Sequence, residues 1–396
     1  MLIGLVGKPS SGKSTFFKAA TLAEVDIAPY PFTTIKPNHG VGYVKVDCID
    51  KELGVQCQPN HGFCINGNRF VPVDLMDVAG LVPGASEGKG LGNQFLDDLR
   101  QADVFIHILD ASGTTDEEGK PVEAHDPAKD IMFLENELNR WFYNILVKAW
   151  KSFARKVEQE EGGSFSEAIA KQFSGLKVTE TQVKKVLLRM KNLPEQPTKW
   201  TEDHLFWFAS ELRTESKPTI IAANKIDLEK ANSNYILLKM KFPGLMIIPC
   251  SADSELALRE AAKSGLINYI PGEKTFEVKK ELTPGQKEAL DKIKANVLDK
   301  FPEGTGVQAI LNHAVFDLLK YIAIFPAGAT KLADSKGRIL PDCFLLPHGS
   351  TALDFAFYLH TDFGNNFIKA IDARTKKAIG KNYELKNRDA LEIVTK

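Results

Sequence analysis

The stretch Gly7-Lys8-Pro9-Ser10-Ser11-Gly12-Lys13-Ser14-Thr15 constrains this chain more than any other. It fits G-x-x-x-x-G-K-[ST], a phosphate-binding loop. An apolar run, Leu2 to Val6, precedes it as a buried strand, and Phe16 to Leu22 can continue a helix behind it. A strand, a glycine turn and a helix N-terminus aim several backbone N–H groups at one point, where the helix dipole adds positive potential. Gly7 through Thr15 can therefore wrap a polyphosphate. Lys13 would reach the β- and γ-phosphates, and Ser14 would place its hydroxyl on Mg²⁺.

The residues downstream supply the parts such a site needs. Ala28 to Asn38 holds three prolines and reads as a loop carrying Thr33 and Thr34. Thr34 is the expected second hydroxyl on Mg²⁺ and sensor of the γ-phosphate, with Thr33 as the fallback. Gly40–Val46 and Arg69–Met76 read as strands, and the second runs into Asp77-Val78-Ala79-Gly80. Asp77 at a strand end can anchor Mg²⁺ through water, and Gly80 can bring a backbone N–H to the γ-phosphate. The catalytic set expected here is Lys13, Thr34 and Gly80. Gly84 to Gly92 is too rich in glycine to pack rigidly and suits a loop that switches with the γ-phosphate.

Asp103–Asp110 is the next buried strand, and its His107 reads as a core histidine. Strand-like pattern then lapses until Pro218. Helical periodicity fills 126–160, 164–191 and 201–213, far more than a strand crossover needs, so 126–214 is expected to be a helical insertion. Its aromatic stripe, Trp141, Phe142, Trp150 and Phe153, reads as helix-pair core. Thr219 to Ala223 restores the sheet and ends in Asn224-Lys225-Ile226-Asp227. A carboxylate at Asp227 can accept the two N–H groups on the Watson–Crick edge of guanine, which adenine lacks. Asn224 can bond the base N7, and the Lys225 stem can lie along the ring. Met246–Cys250 leads to Ser251-Ala252, whose backbone N–H groups can meet the guanine carbonyl. Residues 256–320 read as helical. Beyond them, Tyr321–Phe325, Gly337–Asp342, Phe344–Pro347 and Leu391–Val394 read as short strands around one helix, Thr351–Leu359.

Composition narrows the setting. The 396 residues carry a net charge of −1, so a nucleic-acid contact would need a local patch. Lys369, Arg374, Lys376, Lys377, Lys381, Lys386 and Arg388 offer one near the C-terminus. No apolar run reaches the length of a membrane span. The first strand begins at once, leaving no room for a targeting peptide, so a cytoplasmic location and no membrane partner are expected. Of five cysteines, Cys48, Cys57 and Cys64 cluster, with His61 between the last two. These four could ligate zinc, although the spacing matches no familiar zinc motif. A Cys57–Cys64 disulfide is a second alternative, and plain reduced thiols in a connecting loop are the default reading.

The ordered motifs, with Pro31-Phe32-Thr33-Thr34, Lys36-Pro37-Asn38 and Gly88-Lys89-Gly90-Leu91-Gly92-Asn93-Gln94-Phe95-Leu96, resemble the Obg superfamily of P-loop GTPases, which includes Obg, Drg and YchF proteins. Leu340-Pro341-Asp342, Gly349 to Asp354 and Leu359-His360-Thr361-Asp362-Phe363 resemble a TGS domain, a β-grasp module associated with RNA or ribosome binding. The resemblance implies an α/β P-loop GTPase domain with a helical insertion, followed by a small α+β module. The expected limits are 1–125 and 215–320 for the GTPase domain and 321–396 for the module. It implies GTP as substrate, Mg²⁺ as cofactor, GDP and phosphate as products, and a switch acting on the ribosome or its RNA.

The chain departs from the patterns it resembles at three points. YchF proteins carry N-x-x-E at the base site and use ATP readily, whereas Asp227 here favours guanine. Ser10 stands where Obg-like loops usually have Asn, so potassium activation is not carried over. Leu81 stands where Ras-like enzymes have a water-positioning Gln, so intrinsic turnover is expected on the order of 10⁻³–10⁻² s⁻¹ or below. Two rival readings are an ATPase of YchF type and an RNA-binding scaffold that holds nucleotide with little turnover.

Overall fold

The computed structural model describes residues 1–22, 38–78, 99–148, 150–159, 164–328, 331–334 and 336–396. Its centre is a sheet ordered β2-β4-β1-β5-β6-β7, with a short β3 paired to β4. The strands are β1 (Leu2–Val6), β2 (His39–Asp47), β3 (Phe63–Ile65), β4 (Asn68–Asp77), β5 (Val104–Asp110), β6 (Thr219–Asn224) and β7 (Met246–Pro249). From β4 across to β7 the pairing is parallel, while β2 runs antiparallel to β4. β5, in the middle, is buried along its whole length. Parallel strands covered on both faces read as continuous apolar runs, which is why this strand was visible in the sequence.

β2 lies at the sheet edge, and the chain closes that edge with side chains. Asn312 accepts from the Lys45 N–H at 2.9 Å and donates to the Lys45 carbonyl at 3.0 Å, while Gln308 donates to the Tyr43 carbonyl at 2.8 Å. An exposed edge would be free to pair with another chain. Helix α1 (Lys13–Thr21) follows the phosphate loop and buries Phe16, Ala19 and Ala20.

Among the described residues five α-helices separate β5 from β6: α2 (Pro127–Val147), α3 (Trp150–Gln159), α4 (Phe165–Gln172), α5 (Glu180–Arg189) and α6 (Glu202–Ser216). Asp126 caps α2 by accepting from the Ala128 N–H at 2.9 Å, and Pro127 occupies the first helical position. Thr179 and Thr201 open α5 and α6 with reciprocal capping boxes. The aromatic stripe is core: Trp150 stacks on Trp200 at 5.1 Å, Trp200 meets Phe208 at 5.2 Å, and Phe142 and Phe208 are fully buried.

Two expectations for the later residues are corrected. The span 256–320 is not wholly helical. After α8 (Ala252–Lys263; α7 is Ala231–Lys241) comes a hairpin, β8 (Ile267–Tyr269) with β9 (Phe276–Val278), before α9 (Pro284–Ile293) and α10 (Val307–Asn312). Three-residue strands are too short to show alternation. Residues 337–342 are not a strand either: Leu340 sits at φ 43°, and Ile339 makes only an isolated bridge to Ala333.

The C-terminal module is a five-stranded sheet, β11-β10-β14-β12-β13, carrying helices α11 (Ala352–Leu359) and α12 (Thr361–Asn365). Its strands are β10 (Tyr321–Pro326), β11 (Phe344–Pro347), β12 (Phe367–Asp372), β13 (Ala378–Ile379) and β14 (Ala390–Thr395). Ala327, Leu340, Cys343, Leu345, Ala373 and Ala390 belong to the same apolar core as Ile3, Val44, Val71 and Val73 of the large sheet. The module is therefore packed onto the first domain. Among the described residues no helix is long and apolar enough to cross a membrane.

Phe208 has no exposed surface and sits at the centre of the insertion's aromatic cluster. Phe208→Ala is expected to cost about 3–5 kcal/mol in urea unfolding, as a cavity of that size does in other cores.

Candidate functional site

The phosphate loop spans the end of β1 to the start of α1, and its shape depends on two glycines. A Cβ on Gly7 would lie 2.5 Å from the Ile108 carbonyl, so only glycine lets the loop press on β5. Gly12 sits at φ 93°, and a Cβ there would collide with the Asn224 amide. Pro9, Ser10 and Ser14 are exposed on the outer side of the loop, while Ser11 is buried.

Asn224, at the end of β6, joins the loops of the site. Its amide donates to the Ser11 carbonyl at 2.9 Å, and its carbonyl accepts from the Ala252 N–H at 3.0 Å. The side chain is almost wholly buried. Asp227 is held from the other side, where Ser251 donates its hydroxyl to the carboxylate at 2.7 Å. The Ser251 N–H donates to the Thr305 carbonyl at 2.9 Å. Both amides of the Ser251-Ala252 pair are thus engaged within the protein. The expected contact from them to a guanine carbonyl is not available in this conformation.

Lys225 lies at φ 61°, and its ammonium meets the Asp110 carboxylate at 2.9 Å. Ser112 and Thr115 also donate to Asp110, at 2.5 and 2.7 Å. Burial alone would raise the Asp110 pKa. The hydrogen bonds from Ser112, Thr115 and Lys225 outweigh it and hold the carboxyl below its usual range. Lys225 is thereby pinned by its ammonium.

Lys13 pairs directly with Asp77, both half-buried. Ser14, the next residue, is exposed. The Ser14 hydroxyl and the Asp77 carboxylate are hard oxygen donors of the kind that suits Mg²⁺ with phosphate. Thr33, Thr34, Gly80, Leu81 and the glycine run 84–92 lie outside the described residues.

Lys8 points elsewhere. Its ammonium is buried under the loop, 2.8 Å from Asp130 on α2 and 2.7 Å from the Thr115 carbonyl. Asp130 meets His125 at 2.8 Å through its other oxygen. Only the backbone of Lys8 is left to serve a nucleotide. Asp110, Ser112, Thr115 and Asp130 were not singled out from sequence as site residues. Asp110 ends a buried strand, and Asp130 lies in the first turn of a proline-started helix; those were the available signals.

His107 is buried as expected, yet its Nδ1 has no hydrogen-bond partner among the described residues. Burial first, then the nearby Lys8 ammonium, lower its pKa from 6.5 to about 3. Below its unfolded pKa the unfolded chain binds a proton that the folded chain does not. Stability is therefore lost as pH falls from about 6.5 towards 3, by about 1.4 kcal/mol per pH unit. His107→Gln is expected to flatten that part of the pH profile of urea unfolding.

The cysteine group is tighter than its spacing suggested. The Cys48 and Cys57 sulfurs are 3.7 Å apart, and the Cys64 sulfur is 3.9 Å from Asp50 Oδ2. All are free thiols, the default reading, and the alternative Cys57–Cys64 disulfide is not formed. His61 is not in the group: it turns to Asn60 at 3.0 Å, and Asp50 takes the fourth place. Contacts from Cys57, then Cys64, hold the Cys48 thiol far below its usual range, against the effect of burial. The same contacts, Cys48 first, push Cys57 far above it.

Removing Asn224 should act on the whole site. Asn224→Ala leaves a buried carbonyl and a buried N–H unpaired, at about 1–3 kcal/mol each. It is expected to lower both unfolding stability and nucleotide affinity. Asp227→Ala, at a half-exposed position, should lower affinity alone.

Comparison with known proteins agrees with this geometry. Residues 2–137 match the family model described as 50S ribosome-binding GTPase. Residues 222–328 match Obg-like GTPase YGR210-like, G4 motif-containing domain, and residues 324–395 match the TGS domain. An uncharacterized GTP-binding protein of Methanocaldococcus jannaschii is 48% identical, over 100% of this chain and 99% of that protein. The crystal structure of a GTP binding protein from Pyrococcus horikoshii is 42% identical, covers 100% of both chains and superposes with a TM-score of 0.79. A Buchnera aphidicola protein named ribosome-binding ATPase YchF is 27% identical over 93% of this chain and 86% of its own length. With a phosphate loop tied by Asn224 to the strand end that carries Asn224-Lys225-Ile226-Asp227, and with a TGS domain behind them, the chain belongs to the Obg superfamily of P-loop GTPases, in the YchF/Drg-like group.

Proposed function

We propose that this GTP-binding protein hydrolyses GTP to GDP and phosphate with Mg²⁺ and works as a nucleotide-gated switch on the ribosome or its RNA. The observation that carries the reading is the placement of Asp227. Its carboxylate is held by Ser251 beside Asn224, which bonds the phosphate loop. A carboxylate fixed beside the phosphate loop can select guanine by its two N–H donors. That favours GTP over ATP, although the Buchnera relative carries the name of an ATPase.

The chemistry would be in-line attack of water on the γ-phosphate. Lys13 neutralises charge that spreads over the phosphoryl oxygens in the transition state. Bound Mg²⁺ would supply further charge neutralisation, held by Ser14 and, through water, by Asp77. Thr34 and Gly80 are the proposed sensors of the γ-phosphate. In the structure Lys13 is spent on Asp77. Phosphate must therefore draw Lys13 away, and Asp77 is then released for its role at the metal.

A mechanical path supports the switching role. The Asp77 N–H donates to the Asn38 carbonyl at 2.7 Å, so β2 begins where β4 ends, at the nucleotide. The two strands then run together for nine residues, about 30 Å, to Asp47 and Asn68. There they meet the TGS domain: Arg388 donates to the Asp47 carbonyl at 2.9 Å, and Arg374 meets Glu52 at 3.0 Å. Two arginines of the basic patch are thus used for docking. Lys369, Lys377, Lys381 and Lys386 stay exposed and are the groups proposed to meet RNA phosphates.

Two variants test the reading. Asp227→Ala is expected to abolish the preference for GTP in steady-state hydrolysis; unchanged selectivity would overturn the base assignment. Asp77→Asn frees Lys13 and removes the metal anchor. GTP binding, followed by fluorescent-analogue titration, should then hold or tighten in EDTA and lose its gain from Mg²⁺. An unaltered Mg²⁺ dependence would contradict the role given to Asp77.

A further inference from the structure

We propose that Cys48, Asp50, Cys57 and Cys64 form a structural binding site for one zinc-class divalent ion, which fastens the segment on which the TGS domain rests. The four candidate ligand atoms lie within 4.8 Å of one another, and Cys48, Asp50 and Cys57 are buried. Zinc–sulfur bonds of about 2.3 Å in a tetrahedron place two sulfurs about 3.8 Å apart. The Cys48–Cys57 distance is 3.7 Å. A disulfide would need about 2.0 Å. Three thiolates and one carboxylate form a soft, four-coordinate donor set, which selects zinc over magnesium or calcium.

Charge gives a second, independent reason. Arg69 is fully buried on β4, and its register partner on β3 is Cys64. It donates to the Leu340 and Pro341 carbonyls, at 3.2 and 2.8 Å, and its Nε has no partner among the described residues. Among the described residues its hydrogen-bond acceptors are all neutral, so this buried guanidinium has no hydrogen-bonded counter-charge there. Three thiolates and a carboxylate around a dication would leave a net negative centre beside it.

The position shows what the ion would do. The segment between β2 and β3 has little regular structure, yet it carries the contact with the second domain. The Gln58 N–H donates to the Ile339 carbonyl at 2.8 Å, and the Asn60 N–H to the Pro341 carbonyl at 2.7 Å. Both amides lie between Cys57 and Cys64. Joining those cysteines to Cys48 through one ion fixes this loop against the strands that lead to the nucleotide.

The test uses the full chain, reduced and stripped of metal, and titrates it with Co²⁺. The expected result is saturation at one ion per chain, with the charge-transfer absorption of thiolate-bound cobalt, reversed by one equivalent of Zn²⁺. Cys57→Ser and Cys64→Ser should lose that absorption, while Cys343→Ala, outside the group, should keep it. Hydrogen exchange at Gln58 and Asn60 should slow on Zn²⁺ binding in the wild-type chain, a readout that needs no variant to fold. Uptake without thiolate absorption, or no uptake, would overturn the site. So would a purified chain lighter by two hydrogens, whose cysteines have paired as a disulfide.

Discussion

The site depends on one buried side chain, Asn224. Its amide holds the phosphate loop through Ser11, and its carbonyl holds the turn after β7 through Ala252. Gly12 must be glycine because Asn224 occupies the space of its Cβ. The phosphate loop and the turn after β7, the two halves of the proposed nucleotide pocket, are thus held in one geometry by a single side chain. Preorganised donors need no rearrangement at the moment of reaction, which is where such sites gain most of their effect. Lys13 and Asp77 are the exception. They neutralise each other, and in the proposed cycle nucleotide binding exchanges that pairing for phosphate and metal.

A second constraint is the antiparallel pair of β2 and β4. One end lies at the proposed nucleotide site; the other meets the TGS domain through Asp47, Glu52 and the cysteine segment. The two domains also share an apolar core, so motion at one end has no slack linker in which to be lost. Lys8, Asp130 and His125 provide a separate buried link from the phosphate loop to α2. Both proposed readouts, the insertion and the TGS domain, therefore touch the loop or its strands directly.

Much of this was legible in the sequence because the chemistry demands particular residues at particular strand ends. The phosphate loop, Asp77 and Asn224-Lys225-Ile226-Asp227 follow apolar runs that could only be buried strands. The supporting residues were not legible. Asp110 and Asp130 act on Lys225 and Lys8 across gaps of more than a hundred residues, and no local pattern marks such pairs. Asp50 replaced His61 in the cysteine group because a loop without periodicity does not reveal which side chains turn inward. β12, β13 and the β8–β9 hairpin were missed for a related reason. β8, β9 and β13 are very short, and β12 exposes Ile368 and Lys369 together, which hides its alternation.

The most direct test of the proposed nucleotide-gated role is co-sedimentation with ribosomes at near-physiological salt. The chain would be loaded with a non-hydrolysable GTP analogue, with GDP, or with no nucleotide. The account predicts pelleting with the analogue and little with GDP or none. Equal pelleting in all three states, or no pelleting in any, would contradict it.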